Sequence, residues 1–384
     1  MKNVTVTMGL AVWLLASGAW AGDITLTPVT TATVGNGYLP KVASDGQNSV
    51  VSIAATGGDL SALEFQTGAY VGVPLSLTWT GPYGSIDNPS TQIGLSPSIA
   101  LAFDAGYSNY DDAVEVHQGG QKNDSSLWIQ LGNSGAAVSI GAAPNLNWSG
   151  ATLYDTGYNA TVAADTGAST GTATVVEVHQ SGNDLSTLWY HVGTLTLGPT
   201  PSLSTGFGTP HEMMWDIKGR ITPYQGTAPT VSVCNNFVVV VAQGADGALW
   251  YAIGQVIHPG TASVSINWLT LPVSYGTTGY NPGVSIYSNG GPRVVVEAHQ
   301  ANPGPSQLSY RTGRVTYSTT TGWSITWAPD ADTPFPGDST DCYPSVALSF
   351  GYTGTGSNTT LTETHEAACG SAPSVQSSFS FVNF

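Results

Sequence analysis

Charged residues are scarce in this chain: 8% of its 384 residues are Lys, Arg, Asp or Glu, against about 25% in ordinary soluble domains. That excludes disorder of the highly charged kind. Positive charge is scarcer still, with 8 Lys and Arg against 24 Asp and Glu. Nucleic acid and anionic membranes both draw their affinity from Lys and Arg, so neither is an expected partner. Cysteine is rare too. Three residues, an odd count, argue against a disulfide framework, and none has the spacing of a metal ligand. Helical periodicity is almost absent, and no run beyond the first residues approaches the roughly 20 apolar residues of a membrane span.

What is present is turn formers and aromatics: Gly 47, Pro 23, Trp 11, Tyr 17 and Phe 9, within 41% hydrophobic residues. The chain has enough apolar material for a large core. Its start reads as a secretory signal, with Lys2, an apolar run from Met8 to Ala16 and Ala19-Trp20-Ala21 before Gly22. Cleavage is expected after Ala21, leaving 22–384 as one domain in a secreted or periplasmic protein.

That domain is six copies of one pattern. A Gly-Tyr-x-Pro motif or a variant of it opens each copy: Gly37-Tyr38-Leu39-Pro40, Ser96-Pro97, Gly157-Tyr158-Asn159-Ala160, Ala228-Pro229, Gly279-Tyr280-Asn281-Pro282 and Tyr343-Pro344. A second alternating run follows, then a third of the form Leu-Trp-Tyr-x-x-Gly, seen at Leu127-Trp128, Leu188-Trp189-Tyr190 and Leu249-Trp250-Tyr251. A fourth run carries one Trp: Trp79, Trp148, Trp215, Trp268 or Trp327. Four short strands per repeat predict an all-β, six-bladed β-propeller of four-stranded antiparallel blades. The last repeat lacks a fourth strand, and the segment Asp23–Thr27 is free to supply it, which would close the ring and leave few exposed edges. Among the cysteines, Cys342 and Cys369 fall at the same end of the sixth repeat and are expected to pair, while Cys234 is expected to be a buried thiol.

The most informative chemistry ends the second strand: Glu115-Val116-His117-Gln118, Glu177-Val178-His179-Gln180, Glu297-Ala298-His299-Gln300 and Glu363-Thr364-His365-Glu366. Residues two apart in a strand share a face, so each Glu can sit beside its His. Tyr38, Tyr158, Tyr280 and Tyr343, at the first-strand starts, are expected at the same side of the disc. Two readings follow. Each Glu-His pair is a buried hydrogen-bonded brace, which repetition favours, or the pairs with Tyr and Gln line repeated ligand pockets; a metal site made from several His is a further alternative, since Glu and His can both be ligands. No cofactor is implied. Calcium would suit the acidic stretch Asp330, Asp332, Asp338 and Asp341, but its spacing fits no loop motif and a solvated loop is expected. The polar turns Gly57-Gly58-Asp59, Asn123-Asp124, Gly182-Asn183-Asp184 and Ala245-Asp246-Gly247 read as turn chemistry.

The combination Gly-Tyr-Asn-x-x-Val, Val-Val-Glu-Val-His-Gln and Leu-Trp-Tyr-x-Val-Gly, clearest at 157–193 and 279–313, resembles repeats of exported bacterial β-propeller proteins. The Ser-x-Asp-x-Gly-x-Thr-Trp boxes of sialidases are absent. The resemblance implies the fold and export. On the residues, the leading expectation is a binding module for carbohydrate or another cell-surface ligand, multivalent through repeated sites. The alternatives are an enzyme on polysaccharide or a related ester, with its site at the channel mouth, and a protein-interaction scaffold.

Overall fold

A computed structural model describes residues 24–383, except 47–48, 57–61, 72–74, 81–82, 86–93, 104–110, 121–122, 136–142, 167–170, 205–206, 208–209, 218–219, 289–290, 329–331, 336–340, 353–356, 368 and 370–373. The expected signal segment, the Gly57-Gly58-Asp59 turn, Asp330 and Asp338 lie outside the described residues.

Each repeat opens on the same backbone irregularity. Leu39, Ser96, Asn159, Ala228, Asn281 and Tyr343 all have φ between +46 and +55°. At each of them the register with the second strand slips. A bulge of this kind bends and twists the strand. The Pro-containing motif is therefore a bulge signature, in which the residue before the Pro-equivalent position holds the left-handed conformation. This also corrects the grouping of the tyrosines, because Tyr343 stands at the bulge and Cys342 occupies the place that Tyr38, Tyr158 and Tyr280 hold elsewhere.

The fold is all-β, with sheets in a β-propeller arrangement and no α-helix among the described residues. The first strands, Tyr38–Ser44, Gly94–Phe103, Thr152–Asp165, Thr227–Cys234, Tyr280–Tyr287 and Cys342–Tyr352, line a central cavity of about 490 Å³. Second and third strands follow outward in antiparallel order. Apolar clusters fill the space between repeats. Val116, Leu127 and Val162 join repeats two and three, and Val178, Val231 and Val240 join three and four. Val42, Val50 and Tyr70 pack with Ala347 and Phe379 between repeats one and six.

Repeats one, four, five and six form four separate sheets, where six were expected. Repeats two and three are fused in one nine-stranded sheet, because the strand Thr152–Asp165 begins early. Its residues Thr152–Thr156 pair with Ser126–Ile129 of repeat two, and Gly157–Asp165 pair with the second strand of repeat three. The fourth place beside the last strand, Ser374–Asn383, is taken by Thr25–Asn36.

The Leu-Trp-Tyr-x-x-Gly motif acquires a reason in the fourth strands. Trp79, Trp148, Trp268 and Trp327 lie over Gly68, Gly132, Gly254 and Gly313, where an added Cβ would stand 2.9 to 3.0 Å from the indole. Repeat three departs from this. Its fourth strand is Ser202–Leu203, Leu203 and Phe207 cover Gly193, and Trp215 lies on a separate hairpin, Met214–Ile217 with Arg220–Pro223. The additional chain in this longest repeat carries the tryptophan away from the expected position.

Cys342 and Cys369 form a disulfide with a Cα–Cα distance of 5.8 Å. Cys234 is a buried free thiol, and burial pushes it up to about 12.

Candidate functional site

The second strands bring each Glu-x-His pair onto one face. The imidazole Nδ1 of His117, His179, His299 and His365 lies 2.9 to 3.1 Å from the carboxylate of Glu115, Glu177, Glu297 and Glu363. The four glutamates are at most 1% exposed and the four histidines at most 7%. Burying a carboxylate without partners costs several kcal/mol, so these pairs are tied into networks. Ser378 donates its hydroxyl to Glu363 at 3.0 Å. Tyr154 and Tyr275 stand beside Glu177 and Glu297, and burial together with those negative charges holds both phenols well above their ordinary range.

The glycine of the opening motif is explained by the same rings. A Cβ at Gly94 would stand 2.9 Å from His117 Cδ2, and at Gly279 2.6 Å from His299 Cδ2. In repeat six the glycine is replaced by Asp341, whose carboxylate lies 3.4 Å from His365 Nε2.

A second carboxylate on the far side of the imidazole recurs. His179 Nε2 lies 3.5 Å from Asp155, and His299 Nε2 lies 3.7 Å from Asp332. Burial by itself would lower these histidines. The charge of Glu177 or Glu297, its hydrogen bond and the facing Asp outweigh burial, so that His179 is raised and His299 reaches about 9. His365, between Glu363 and Asp341, likewise reaches about 9. The expectation of a solvated acidic loop is thereby corrected for Asp332 and Asp341. Both carboxylates are drawn in by a charged imidazole, and Asp332 also receives a hydrogen bond from Arg311. Burial opposes its ionisation, but His299 and Arg311 hold it at about 2.

Repeat three differs from the rest. The residue paired across from the motif glutamate is Gln130, Arg311 or Ser378 in repeats two, five and six, and His191 in repeat three. His191 Nε2 lies 2.8 Å from Asp155, its ring 5.7 Å from that of His179 and stacked on it. Asp155 opposes burial with the His191 hydrogen bond and the neighbouring imidazole charges, and sits below the usual carboxylate range. Its side chain is 20% exposed, against 1% and 2% for the two histidines. Potential ligand atoms of Asp155, His179 and His191 all lie within 4.8 Å of one another. Two imidazoles and a carboxylate, with Glu177 on the other nitrogen of His179, are a donor set suited to zinc.

The other predicted residues have different surroundings. Gln180 accepts from Asn159 at 2.5 Å and from the backbone N–H of Ala228 in the next repeat at 3.0 Å, and donates to the Leu185 carbonyl. Gln300 repeats this with Asn281, Tyr343 and Gly304. Gln118 donates to the Asp124 carbonyl at 2.8 Å. These amides clasp bulge to turn and, in Gln180 and Gln300, repeat to repeat. Glu366, at the same position in repeat six, accepts from Leu39 N–H at 3.4 Å. Tyr38, Tyr158, Tyr280 and Tyr343 are half-buried on that rim, while the tyrosines beside the motif glutamates are Tyr154 and Tyr275. Asp124, Asp184 and Asp246 accept backbone N–H groups two residues on, as tight turns require.

Sequence reasoning missed Asp155 and His191, and it read Asp332 and Asp341 as a solvated acidic stretch without seeing their pairing with His299 and His365. The signal for His191 was its place in Leu188-Trp189-Tyr190-His191, opposite Glu177, where repeat five has Leu308-Ser309-Tyr310-Arg311.

The chain matches no protein-family model and no curated protein. Among solved structures it is similar to the hemagglutinin-neuraminidase ectodomain of parainfluenza virus 5, with 8% identity, 94% of this chain and 86% of that chain covered, and a TM-score of 0.55. A structure of the same viral protein with the ligand DANA gives 7% identity, coverage of 94% and 95%, and a TM-score of 0.54. An alpha-L-arabinofuranosidase from Fusarium graminearum gives 11% identity, coverage of 92% and 97%, and a TM-score of 0.47. At these identities the likeness shows the fold alone.

Proposed function

We propose that this chain is an exported, carbohydrate-active propeller enzyme, acting on a polysaccharide or a related ester at the face where Asp155, His179 and His191 meet. The observation that carries the reading is the singularity of repeat three. A catalytic site needs one constellation, and among the described residues only this repeat joins two imidazoles to a partly exposed carboxylate. Asp155, kept ionised by its imidazole neighbours, suits stabilisation of positive charge developing on a sugar ring, or activation of a water molecule. The burial of the four Glu-His pairs favours their role as braces over a set of repeated pockets. The viral hemagglutinin-neuraminidase of like fold, with its ligand DANA, gives the carbohydrate direction its precedent.

In this reading the nine-stranded sheet counts as two blades, making six in all, and the ring closes through the strand Thr25–Asn36. The contacts of Leu39 with Glu366 and of Val42 with Ser345 support that closure. A second reading, a multivalent carbohydrate-binding module, is favoured by the half-buried Tyr38, Tyr158 and Tyr280 recurring on the rim.

The test is release of reducing sugar or free acid from a polysaccharide panel by the mature chain and by Asp155→Asn. Turnover that falls at least about 100-fold in a folded variant, a loss typical of removing a charge-stabilising group, supports the enzyme. Glycan binding without turnover in either protein supports the binding module instead.

A further inference from the structure

The first strands place one residue each at the same level of the fold, directly after the Pro-equivalent position. In chain order these are Lys41, Ser98, Thr161, Thr230, Gly283 and Ser345. Lys41 and Thr161 line both the central cavity and a smaller one of about 70 Å³ next to the bulges, so this level is the waist between the two.

The hydrogen-bond roles at this level are one-sided. Ser98 Oγ accepts from Val162 N–H at 3.0 Å, Thr230 Oγ1 from Val284 N–H at 3.4 Å and Ser345 Oγ from Val42 N–H at 3.1 Å. Each hydroxyl thus uses its oxygen as acceptor toward the backbone and keeps its proton to donate. Thr161 Oγ1 is buried with no protein partner. Lys41 offers three N–H donors and no acceptor, and among the described residues no carboxylate pairs with it. Burial pushes its ammonium down to about 8, with no neighbouring charge acting against the loss of the proton. The acids on the same cavity wall, Asp45 and Asp165, sit four residues further along the chain from Lys41 and Thr161, just past the end and at the end of their strands, with backbones roughly 13 Å away at 3.3 Å per residue.

We infer that the waist is a binding site for a small anion, a halide or a carboxylate group, held by the Lys41 ammonium and the hydroxyls of Ser98, Thr161, Thr230 and Ser345. An ammonium partly withdrawn from water on the cavity wall is held at a cost without a counter-charge, and among the described residues no protein acceptor faces Lys41 Nζ or Thr161 Oγ1. The net charge of −16 repels anions at the outer surface, so an anion resides here only through local donors. The site is independent of Asp155 and of the proposed carbohydrate chemistry.

The probe is bromide. Crystals of the mature chain soaked in sodium bromide are expected to show an anomalous peak within hydrogen-bond reach of Lys41 Nζ. The peak is absent in Lys41→Met and weakened in Thr161→Val. In solution, the NMR titration midpoint of the Lys41 amine moves upward on adding sodium bromide, because the anion stabilises the ammonium. A wild-type crystal without the peak overturns the inference, as does a peak retained in Lys41→Met. A crystal peak with an unmoved midpoint means binding at crystal concentration only and also overturns it. Should Lys41→Met fail to fold, the wild-type peak and midpoint decide the matter. Sodium formate in the same titration separates the sources: a shift with bromide and none with formate restricts the site to halides.

Discussion

At the scale of single residues the molecule is organised by imidazoles held between carboxylates, and this fixes how stability depends on pH. His299 and His365 rise from an ordinary 6.5 to about 9 on folding. Their contribution is complete below pH 6.5 and is lost as pH climbs through 9. Asp332 falls from 3.8 to about 2, so its contribution is present above pH 3.8 and is lost on acidification toward pH 2. The urea midpoint is therefore expected to be highest between about pH 4 and 6.5 and to fall between 6.5 and 9. His299→Asn should remove part of that alkaline fall. An unchanged midpoint across pH 6.5 to 9 in the parent chain would contradict the double-carboxylate arrangement.

At the scale of the element, each strand carries the cost of its neighbour's side chains. The opening glycine is required by the ring behind it. Gly279→Ala would bring a Cβ to 2.6 Å from His299 and 2.7 Å from Leu249, and a loss of about 1–3 kcal/mol is expected from urea denaturation. Gly150→Ala, with nothing within 4 Å, should change stability by less than about 0.5 kcal/mol. Equal effects at the two positions would refute the packing account.

The strands and their order were legible in the sequence because they follow a period of two and repeat six times, and the Glu-His pairing because it recurs in four of those repeats. The bulge was visible only as a Pro motif, since its cause is a φ angle that any of Leu, Ser, Asn, Ala or Tyr is made to adopt. Asp155 stayed hidden because it sits at a register shift in the early part of Thr152–Asp165, which pairs with the preceding repeat, and the partners of Asp332 and Asp341 stayed hidden because these two lie between strands, where no periodicity constrains a residue's direction. Asp341 was the most accessible of them, as the repeat in which an acid stands in the glycine position. The fusion of repeats two and three depends on five residues, Thr152–Thr156, that pair with the preceding sheet, and no composition signal marks them.

At the scale of the whole molecule, stability rests on apolar clusters between repeats and on one covalent link. The Cys342–Cys369 disulfide closes a loop with a sequence separation of 27, worth about 3–4 kcal/mol on a chain-entropy account. Reduction, or the pair Cys342→Ser with Cys369→Ser, is expected to lower the melting temperature by several degrees and leave the β-sheet circular dichroism of the folded state unchanged. No change in melting temperature would show that the link adds nothing to the packing around it.

The central claim is that one face, at repeat three, handles carbohydrate. Its most direct test is a crystal structure of Asp155→Asn with an oligosaccharide from the best substrate. The account predicts one sugar chain, with a ring within hydrogen-bond reach of residue 155. Sugar bound alike at the rims of several repeats, beside Tyr38, Tyr158 and Tyr280, or bound away from residue 155 altogether, would contradict it.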